Sequence, residues 1–366
     1  MTVLAIETSC DETAAAVVSE TGDEARPWNV RSNIVASQVD IHREWGGVVP
    51  ELASRQHLRD ICGVVERALA DGGATWSDLD GVAVTQGPGL VGSLLVGVAF
   101  AKGLAASLDV PLVPVHHLAG HVESLVIHNG RLPLPVVVLV VSGGHTNLYL
   151  VEAERRYRLI GRTRDDAAGE AFDKVASVLG LEYPGGPAID RVARDGNDAA
   201  IDFPIARMTH ADRNARPELA QPAGLALERR ARRLEFSFSG LKTAVKRHVE
   251  ARRRANGAVG ALSAAEVADV CASFQRAAVR ALLDRTMSAA RWFGARGVGI
   301  AGGVSANSRL RTEAASRAAV ADLPLFLPSL ALATDNAAMI GAAGLRLLRA
   351  GVVGSLDLNA QASLEL

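Results

Sequence analysis

Two stretches of the chain repeat one arrangement of apolar and polar positions. Residues 3–18 contain an apolar run, a polar turn and a second apolar run, and residues 136–151 repeat this order. The pattern is typical of a buried strand, a tight turn and a second strand. Strand-like and helix-like segments follow each stretch, including a strand at 81–85 and another at 297–301. The repetition predicts two related α/β lobes facing each other across a cleft.

The length of the chain also favours two domains. At 366 residues it exceeds the size at which a single hydrophobic core stops growing. We predict a first lobe over residues 1–132 and a second lobe over residues 133–366, with packing of the C-terminal helix on the first lobe as an alternative. The second lobe is expected to carry an insertion near residues 207–260, where prolines and small polar residues indicate a long surface loop.

Overall charge argues against a protein that binds nucleic acid over its whole surface, because the formal net charge is −1. A local exception lies between Arg229 and Arg254, where ten basic residues face only two acidic ones, Glu235 and Glu250. Such a cluster can follow a phosphate backbone. A solvated arginine-rich helix and loop would show the same composition, so both interpretations stay open.

Cysteine usage and the N-terminus indicate a cytoplasmic protein without a membrane partner. Cys10, Cys62 and Cys271 are scattered, without a close pair, which favours a reducing compartment and no disulfide framework. The N-terminus has no basic region followed by a cleavable apolar segment, and Lys102 interrupts the apolar stretch after Val91. We therefore expect neither a signal peptide nor a membrane span.

His117 and His121 are four residues apart, so on a helix they share one face and suit a single divalent transition metal. Histidines that are merely hydrogen-bonded on a half-buried helix give the same spacing. Zinc peptidases also use it, with a glutamate after the first histidine as general base. Here that residue is Leu118, so hydrolysis is poorly supported. A third ligand must come from elsewhere in the chain.

Further polar residues lie in the turns expected to line the cleft. Asp11 and Glu12 occupy the first hairpin turn, where they could hold a metal, position a reacting group or serve as ordinary turn acids. Glycine-rich turns at residues 86–89, 142–144 and 302–307 bring backbone N–H groups close to an anion. Several such turns in one chain favour a bound nucleotide.

Two helix starts look structural from the sequence. Ser263 and Glu266 have the spacing of a capping box, and residues 334–336 resemble an N-cap and first turn before an alanine-rich helix. On this pattern alone, Asp335 is a cap rather than a ligand.

Nine motifs in one order give the chain a resemblance to a known family. They are residues 6–13 (IETSCDET), 87–90 (GPGL), 116–121 (HHLAGH), 141–146 (VSGGHT), 166–174 (DAAGEAFDK), 183–187 (YPGGP), 236–243 (FSFSGLKT), 302–307 (GGVSAN) and 334–336 (TDN). By these motifs the chain resembles the bacterial tRNA N6-adenosine threonylcarbamoyltransferases, once described as O-sialoglycoprotein endopeptidases.

This resemblance implies an α/β fold of the actin, sugar kinase and Hsp70 type, with two ribonuclease H-like lobes and an interlobe cleft. It also implies that Asp335 joins His117 and His121 as a ligand of one divalent metal per subunit. Fe²⁺ is expected in preference to Zn²⁺, although this donor set suits either. Archaeal and eukaryotic relatives have a ligand tyrosine at the position of Val140 and an asparagine at that of His145, so the chain is bacterial in type.

The implied reaction transfers the threonylcarbamoyl group from threonylcarbamoyl-adenylate to N6 of the adenosine 3′-adjacent to the anticodon, in tRNAs reading codons that begin with A. Asp11 and Glu12 are the candidate catalytic groups, and the sequence does not say which is the base. The implied partners are the adenylate, tRNA, an inactive paralogue of the same fold and a small P-loop ATPase. The implied substrate-binding residues are Val140, Val141, Ser142, Gly143, Gly144, Asp173, Gly186, Asp190 and Asn307.

Two other classes of function share parts of this pattern. A small-molecule phosphotransferase of the acetate and sugar kinase type would have the same fold and nucleotide loops. It would hold magnesium with carboxylates and would have no use for two histidines on one helix. A binding or scaffold protein, such as the inactive paralogue, is expected to lack the histidine pair and the Ser142–His145 loop.

Overall fold

The computed structural model describes residues 1–206, 233–255 and 261–366. These residues form two compact units, one comprising residues 1–132 with 327–366 and the other residues 133–326. The sequence pattern predicts a first lobe over residues 1–132 and a second over residues 133–366, with packing of the C-terminal helix on the first lobe as the alternative. Most of the insertion predicted near residues 207–260 lies outside the described residues.

Each unit is built on one five-stranded sheet, and the two sheets have the same topology. In both, three antiparallel strands continue into two parallel ones. The repeated hairpins predicted from the sequence are confirmed as β1 with β2 and β6 with β7. The first sheet has the order β3-β2-β1-β4-β5, with β1 (Thr2–Glu7), β2 (Glu12–Glu20), β3 (Trp28–Ser37), β4 (Gly81–Gly87) and β5 (Leu112–His116). The second has the order β8-β7-β6-β9-β10, with β6 (Val136–Val141), β7 (Thr146–Ala153), β8 (Arg156–Arg162), β9 (Val298–Ala301) and β10 (Leu325–Phe326).

Helices connect and cover these strands. In the first unit they are α1 (Val39–Arg43), α2 (Pro50–Asp71), α3 (Val91–Leu108), α4 (His117–Asn129) and, near the C-terminus, α10 (Ala337–Arg349). In the second unit the described helices are α5 (Ala168–Leu179), α6 (Gly185–Val192), α7 (Ser239–Ala255), α8 (Ala264–Trp292) and α9 (Ser308–Val320). The predicted capping box of Ser263 and Glu266 opens α8.

Alternate residues of strand β1 face opposite layers of helices, as the two-residue period of a strand requires. Leu4 and Ile6 pack with α2 and α3 in one buried core cluster. Ala5 faces the other way, toward Gly341 of α10. Small residues on both sides of this second contact allow α10 to lie directly on the sheet. This packing explains why residues 327–366 belong to the first unit.

Helix α3 is, within the described part of the chain, the helix that is long and apolar enough to cross a membrane. Val98, Ala101 and Ala105 on this helix belong to the core cluster of the first unit. A third of the residues of α3 are buried within this unit.

Candidate metal centre

The histidine pair lies in the first turns of α4, directly after β5. His116 forms the N-cap of this helix, because its side chain accepts a hydrogen bond from the Leu118 N–H group. The helix then turns His117 and His121 to the same side, with their ring centroids 4.7 Å apart. Both side chains are buried. The local sequence is therefore sufficient to pair the two imidazoles.

Asp335 joins this pair from the start of α10. Its Oδ1 atom lies 3.5 Å from Nε2 of His117 and 3.2 Å from Nε2 of His121. The N-cap of α10 is Asn336, whose side chain accepts from the Met339 N–H group. The interpretation of Asp335 as a helix cap is thus wrong, because the adjacent asparagine caps the helix and leaves the carboxylate to face the histidines.

A glycine between the two histidines allows this approach. A Cβ atom at Gly120 would lie 2.9 Å from Cδ1 of Ile340 and 3.1 Å from Cγ of Met339. Both neighbours belong to the first turns of α10, so a larger residue at position 120 would force the side chains of Ile340 and Met339 to shift. The close contact of the two helices is what brings Asp335 to the imidazoles.

These three residues fit a divalent metal ion. One ligand atom from each lies within 4.8 Å of the others. Both ring nitrogens of His121 are buried and have no hydrogen-bond partner among the described residues, although Nε2 is 3.2 Å from Asp335. Buried polar atoms are rarely left unpaired. Nε2 of His121 and Oδ1 of Asp335 lie close together without a well-aligned hydrogen bond, which is explained if both atoms direct lone pairs at a shared cation. A donor set of two imidazole nitrogens and one carboxylate oxygen suits iron or zinc.

Glu7, at the end of β1, is a functional residue that the sequence reasoning missed. Its carboxylate is fully buried, accepts from the Thr85 hydroxyl at 2.8 Å and lies 2.9 Å from Nδ1 of His117. With a proton on Nδ1 directed at Glu7, His117 can direct the lone pair of Nε2 to a metal, which is the usual carboxylate–histidine–metal arrangement. The sequence did contain a signal for this role, because a single glutamate directly follows the apolar residues 3–6 of the predicted strand.

The charges around His117 reinforce this assignment. Burial lowers the pKa of the imidazole, and the carboxylates of Asp335 and Glu7 more than offset this effect and raise the pKa to about 9. The surroundings thus favour positive charge at this point, whether the charge is a proton or a metal ion.

We expect Glu7→Gln to weaken metal binding by about 10- to 100-fold, the usual cost of removing a carboxylate that orients a ligand histidine. The amide has the size of the carboxylate but lacks its charge, and its single oxygen cannot accept on the Ser9 side and on the His117 side at once. Competition with a chelator measures the metal affinity. Glu20→Gln, at the far end of the same sheet, is the matched control. Equal affinity in Glu7→Gln and the wild type would contradict the role given to Glu7.

The acidic hairpin, which is the turn between β1 and β2 that carries Asp11 and Glu12, lies in the electrostatic field of this centre. Burial raises the pKa of the Glu12 carboxyl, and the charges of Asp11 and Asp335 raise it further. Burial also raises the pKa of the Cys10 thiol, again with contributions from Asp11 and Asp335. The structure therefore brings Asp11, Glu12 and the metal ligands into one acidic cluster within the first unit.

The glycine-rich turn at residues 86–89 is occupied by the chain itself. The Gly89 N–H group donates to the carbonyl of Ala362, and the Gln361 N–H group donates to the carbonyl of Gln86. The prediction of a free anion cradle is wrong at this turn, because the C-terminal segment covers it. The same segment reaches His116, whose Nε2 lies 3.1 Å from the carbonyl of Leu364.

In the second unit, the predicted turn at residues 142–144 lies beside the turn at residues 302–307. Strands β6 and β9 are parallel neighbours, so the turns that follow them share one edge of the sheet. Gly302 has a φ angle of +91°, and a Cβ atom there would lie 2.4 Å from the Val141 carbonyl oxygen. Only glycine permits this approach. Val140 and Val141 are fully buried, so only their backbone groups could meet a ligand.

The other predicted substrate residues of this unit are connected through α6. Asp173 accepts from the Gly185 N–H group at 2.7 Å, and a Cβ atom at Gly186 would meet open space. Asp190, on the same helix, accepts from the Ser308 hydroxyl at 2.8 Å. Asn307 caps α9 and donates to Gln275. Asp173, Gly186, Asp190 and Asn307 are thus linked to one another through α6 and its hydrogen bonds. The structure adds Gln275 to this group through its bond with Asn307.

The basic stretch offers less free positive charge than its composition indicates. Lys242 pairs with Asp166 at 2.6 Å, and Arg252 pairs with Glu266. Arg233 is buried, with its guanidinium over the ring of Trp292. Arg229, Arg230 and Arg232 lie outside the described residues. Contact between this stretch and tRNA therefore stays a prediction.

Comparison with solved structures supports the class of fold. HypF, in its phosphate- and nucleotide-bound form, matches with a TM-score of 0.57 over 96% of this chain and 56% of that chain, at 13% sequence identity. Two sheets of identical topology and this likeness show the α/β fold of the actin, sugar kinase and Hsp70 type that the family resemblance implied.

The particular family follows from the sequence relatives. The family model for tRNA N6-adenosine threonylcarbamoyltransferase matches residues 29–342. The relative with that name from Moorella thermoacetica is 51% identical, over 93% of this chain and 90% of its own length. The one from Anaeromyxobacter dehalogenans strain 2CP-1 is 50% identical, over 98% and 97%. The chain belongs to the tRNA N6-adenosine threonylcarbamoyltransferase family, as its motifs predicted.

Proposed function

We propose that this protein transfers a threonylcarbamoyl group to N6 of adenosine in tRNA. The family name describes this activity for the relatives, and the observation that carries it over is the cluster of His117, His121 and Asp335 on the family fold. The donor in this proposal is threonylcarbamoyl-adenylate. The acceptor is the adenosine 3′-adjacent to the anticodon in tRNAs reading codons that begin with A.

The reaction is an acyl transfer to a weakly nucleophilic amine. The N6 nitrogen forms a bond to the carbamoyl carbon, the bond from that carbon to the phosphate oxygen breaks, and AMP leaves with its electron pair. One N6 proton must also depart. A bound metal would supply Lewis-acid polarisation of the carbamoyl oxygen. His117, His121 and Asp335 would hold this ion, and Glu7 would fix the orientation of His117.

The departing proton is assigned to the acidic hairpin. Burial and the charge of Asp11 raise the pKa of Glu12, and this makes its carboxylate a stronger proton acceptor. Asp11 then serves to orient the amine and to maintain the basicity of Glu12. In the second unit, the backbone of residues 140–144 with Asp173, Gly186, Asp190 and Asn307 is proposed to bind the adenylate.

The cofactor and partners of this proposal follow the family resemblance. The metal is Fe²⁺ in preference to Zn²⁺, and the donor set of two histidines and one aspartate supports either. The protein partners are an inactive paralogue of the same fold and a small P-loop ATPase, acting together in the cytoplasm. Metal analysis of protein purified without added metal would decide between iron and zinc.

A transfer assay with synthetic threonylcarbamoyl-adenylate and unmodified tRNA tests the proposal. We expect equal amounts of AMP and of modified adenosine, which mass spectrometry of the digested tRNA would identify. A tRNA with guanosine at the acceptor position is the control and should stay unmodified. The paralogue is included in both reactions. Phosphorylation of acetate or a sugar by ATP, without transfer to tRNA, would instead support the phosphotransferase alternative.

A further inference from the structure

Three buried polar side chains behind the acidic hairpin take no part in the chemistry above. Gln38 lies before α1, His42 lies within α1 and His57 lies within α2. Gln38 is 1% exposed, and both histidines are fully buried. Burying such groups costs free energy unless they are hydrogen-bonded, so their bonding partners indicate their role.

The partners of His57 determine which of its nitrogens carries the proton. Nε2 lies 3.0 Å from the carbonyl oxygen of Cys10, and because a carbonyl can only accept, Nε2–H is the donor. Nδ1 is then the acceptor for the Thr13 hydroxyl at 2.8 Å and for the Gln38 amide at 3.3 Å. Burial lowers the pKa of His57, in agreement with a neutral ring.

The same reasoning extends the chain of hydrogen bonds outward. The Gln38 carbonyl oxygen lies 3.3 Å from Nε2 of His42, which donates to it. Nδ1 of His42 accepts from the Val49 N–H group at 3.3 Å, and Val49 directly precedes α2. One series of donors and acceptors therefore runs from the start of α2 to the carbonyl of Cys10.

The end of this series reaches the turn that carries the two candidate catalytic acids. His57 binds the carbonyl of Cys10, and the Gln38 backbone N–H group binds the carbonyl of Asp11 at 3.0 Å. Two consecutive carbonyl groups of this turn are therefore held by residues outside it, His57 and Gln38.

We propose that His57, oriented by Gln38 and His42, is a positioning residue that fixes the backbone of residues 10–12 and thereby directs the carboxylates of Asp11 and Glu12. This proposal rests on the proposed function, because that function gives the two carboxylates their part in catalysis. His57 itself acts only through the turn.

Two substitutions of similar chemistry and different reach test the proposal. In His57→Gln the amide reaches the position of Nε2 and keeps a donor for Cys10. In His57→Asn the amide reaches only the position of Nδ1 and leaves the Cys10 carbonyl unpaired. For His57→Asn we expect kcat to fall about 10- to 100-fold, with KM for the adenylate and tRNA nearly unchanged. His57→Gln should retain most of the wild-type kcat.

Measurements that do not depend on activity accompany the kinetics. Metal content should stay at the wild-type level in both variants. Amide hydrogen exchange in the peptide over residues 8–13 should accelerate in His57→Asn and not in His57→Gln. Glu66→Gln, exposed on the same helix, is the matched control and should match the wild type throughout. If His57→Asn does not fold, Gln38→Leu interrupts the same series of bonds and carries the same expectations.

Equal kinetics in the two His57 variants, or unchanged exchange in His57→Asn, would overturn the positioning role. Loss of metal in parallel with kcat would overturn it as well, because the effect would then run through the metal centre. A wild-type protein that transfers nothing to tRNA would overturn the proposed function instead. The exchange pattern would then decide the positioning role by itself.

Discussion

Replacing His121 with alanine is expected to remove the bound metal and abolish threonylcarbamoyl transfer while leaving the protein folded. The ring of His121 lies 3.2 Å from Asp335 and otherwise has no polar partner within the described ranges, so the substitution breaks no polar contact outside the metal centre. It leaves one histidine and one aspartate, too few ligands to retain the ion. The cost to folding is limited to the packing of one buried ring.

Metal content, transfer rate and thermal unfolding measured on one preparation would test this expectation. His128→Ala is the matched control, because His128 lies exposed on the last turn of the same helix. It should match the wild type in all three measurements. Full metal occupancy in His121→Ala would show that the ion is held elsewhere and would remove the assignment of all three ligands.

Replacing Asp11 with alanine is expected to lower turnover by about 100-fold or more, as loss of a positioned acid–base group does. The melting temperature should change little. Gln38 holds the backbone carbonyl of Asp11, and alanine retains that carbonyl. Removing the side chain loses hydrogen bonds to Cys10 and Glu12, but it also relieves the charge repulsion with Glu12. Metal content should stay unchanged.

The variant Asp11→Asn separates charge from size at this position. The charge of Asp11 contributes to the raised pKa of Glu12, so its removal lowers that pKa. If Glu12 must be ionised to accept the proton, the acidic limb of the kcat profile should move to lower pH. A drop in melting temperature with full activity in Asp11→Ala would instead make Asp11 a structural turn residue. Glu12 would then have to accept the proton without a contribution from Asp11.

Local features of this protein were predictable because they depend on short-range geometry. The order of apolar run, polar turn and apolar run at residues 3–18 and again at 136–151 predicted the two hairpins. The spacing of His117 and His121 placed both imidazoles on one side of α4. The nine motifs supplied the family, and with it the expectation that Asp335 joins the histidines.

Other features were decided only when distant segments packed together. Asp335 and Asn336 are neighbours with similar capping tendencies, and only the tertiary structure shows that Asn336 caps α10 while Asp335 faces the histidines. The turn at residues 86–89 has the sequence of an anion site, but in the structure its backbone groups are hydrogen-bonded to the C-terminal segment. The sequence counts Arg233 among the exposed basic residues, but in the structure this residue is buried with its guanidinium over the ring of Trp292.

The polar residues that support the site were the hardest to find from sequence. Glu7 meets His117 across 110 positions of the chain, and His57 meets Cys10 across 47. A buried polar residue in a strand or helix indicates that a partner exists, because an unpaired one would be costly. The sequence by itself therefore determined the elements, the family and the histidine pair. The identity of each buried partner depended on which surfaces the fold brought together, and only the tertiary structure decided that.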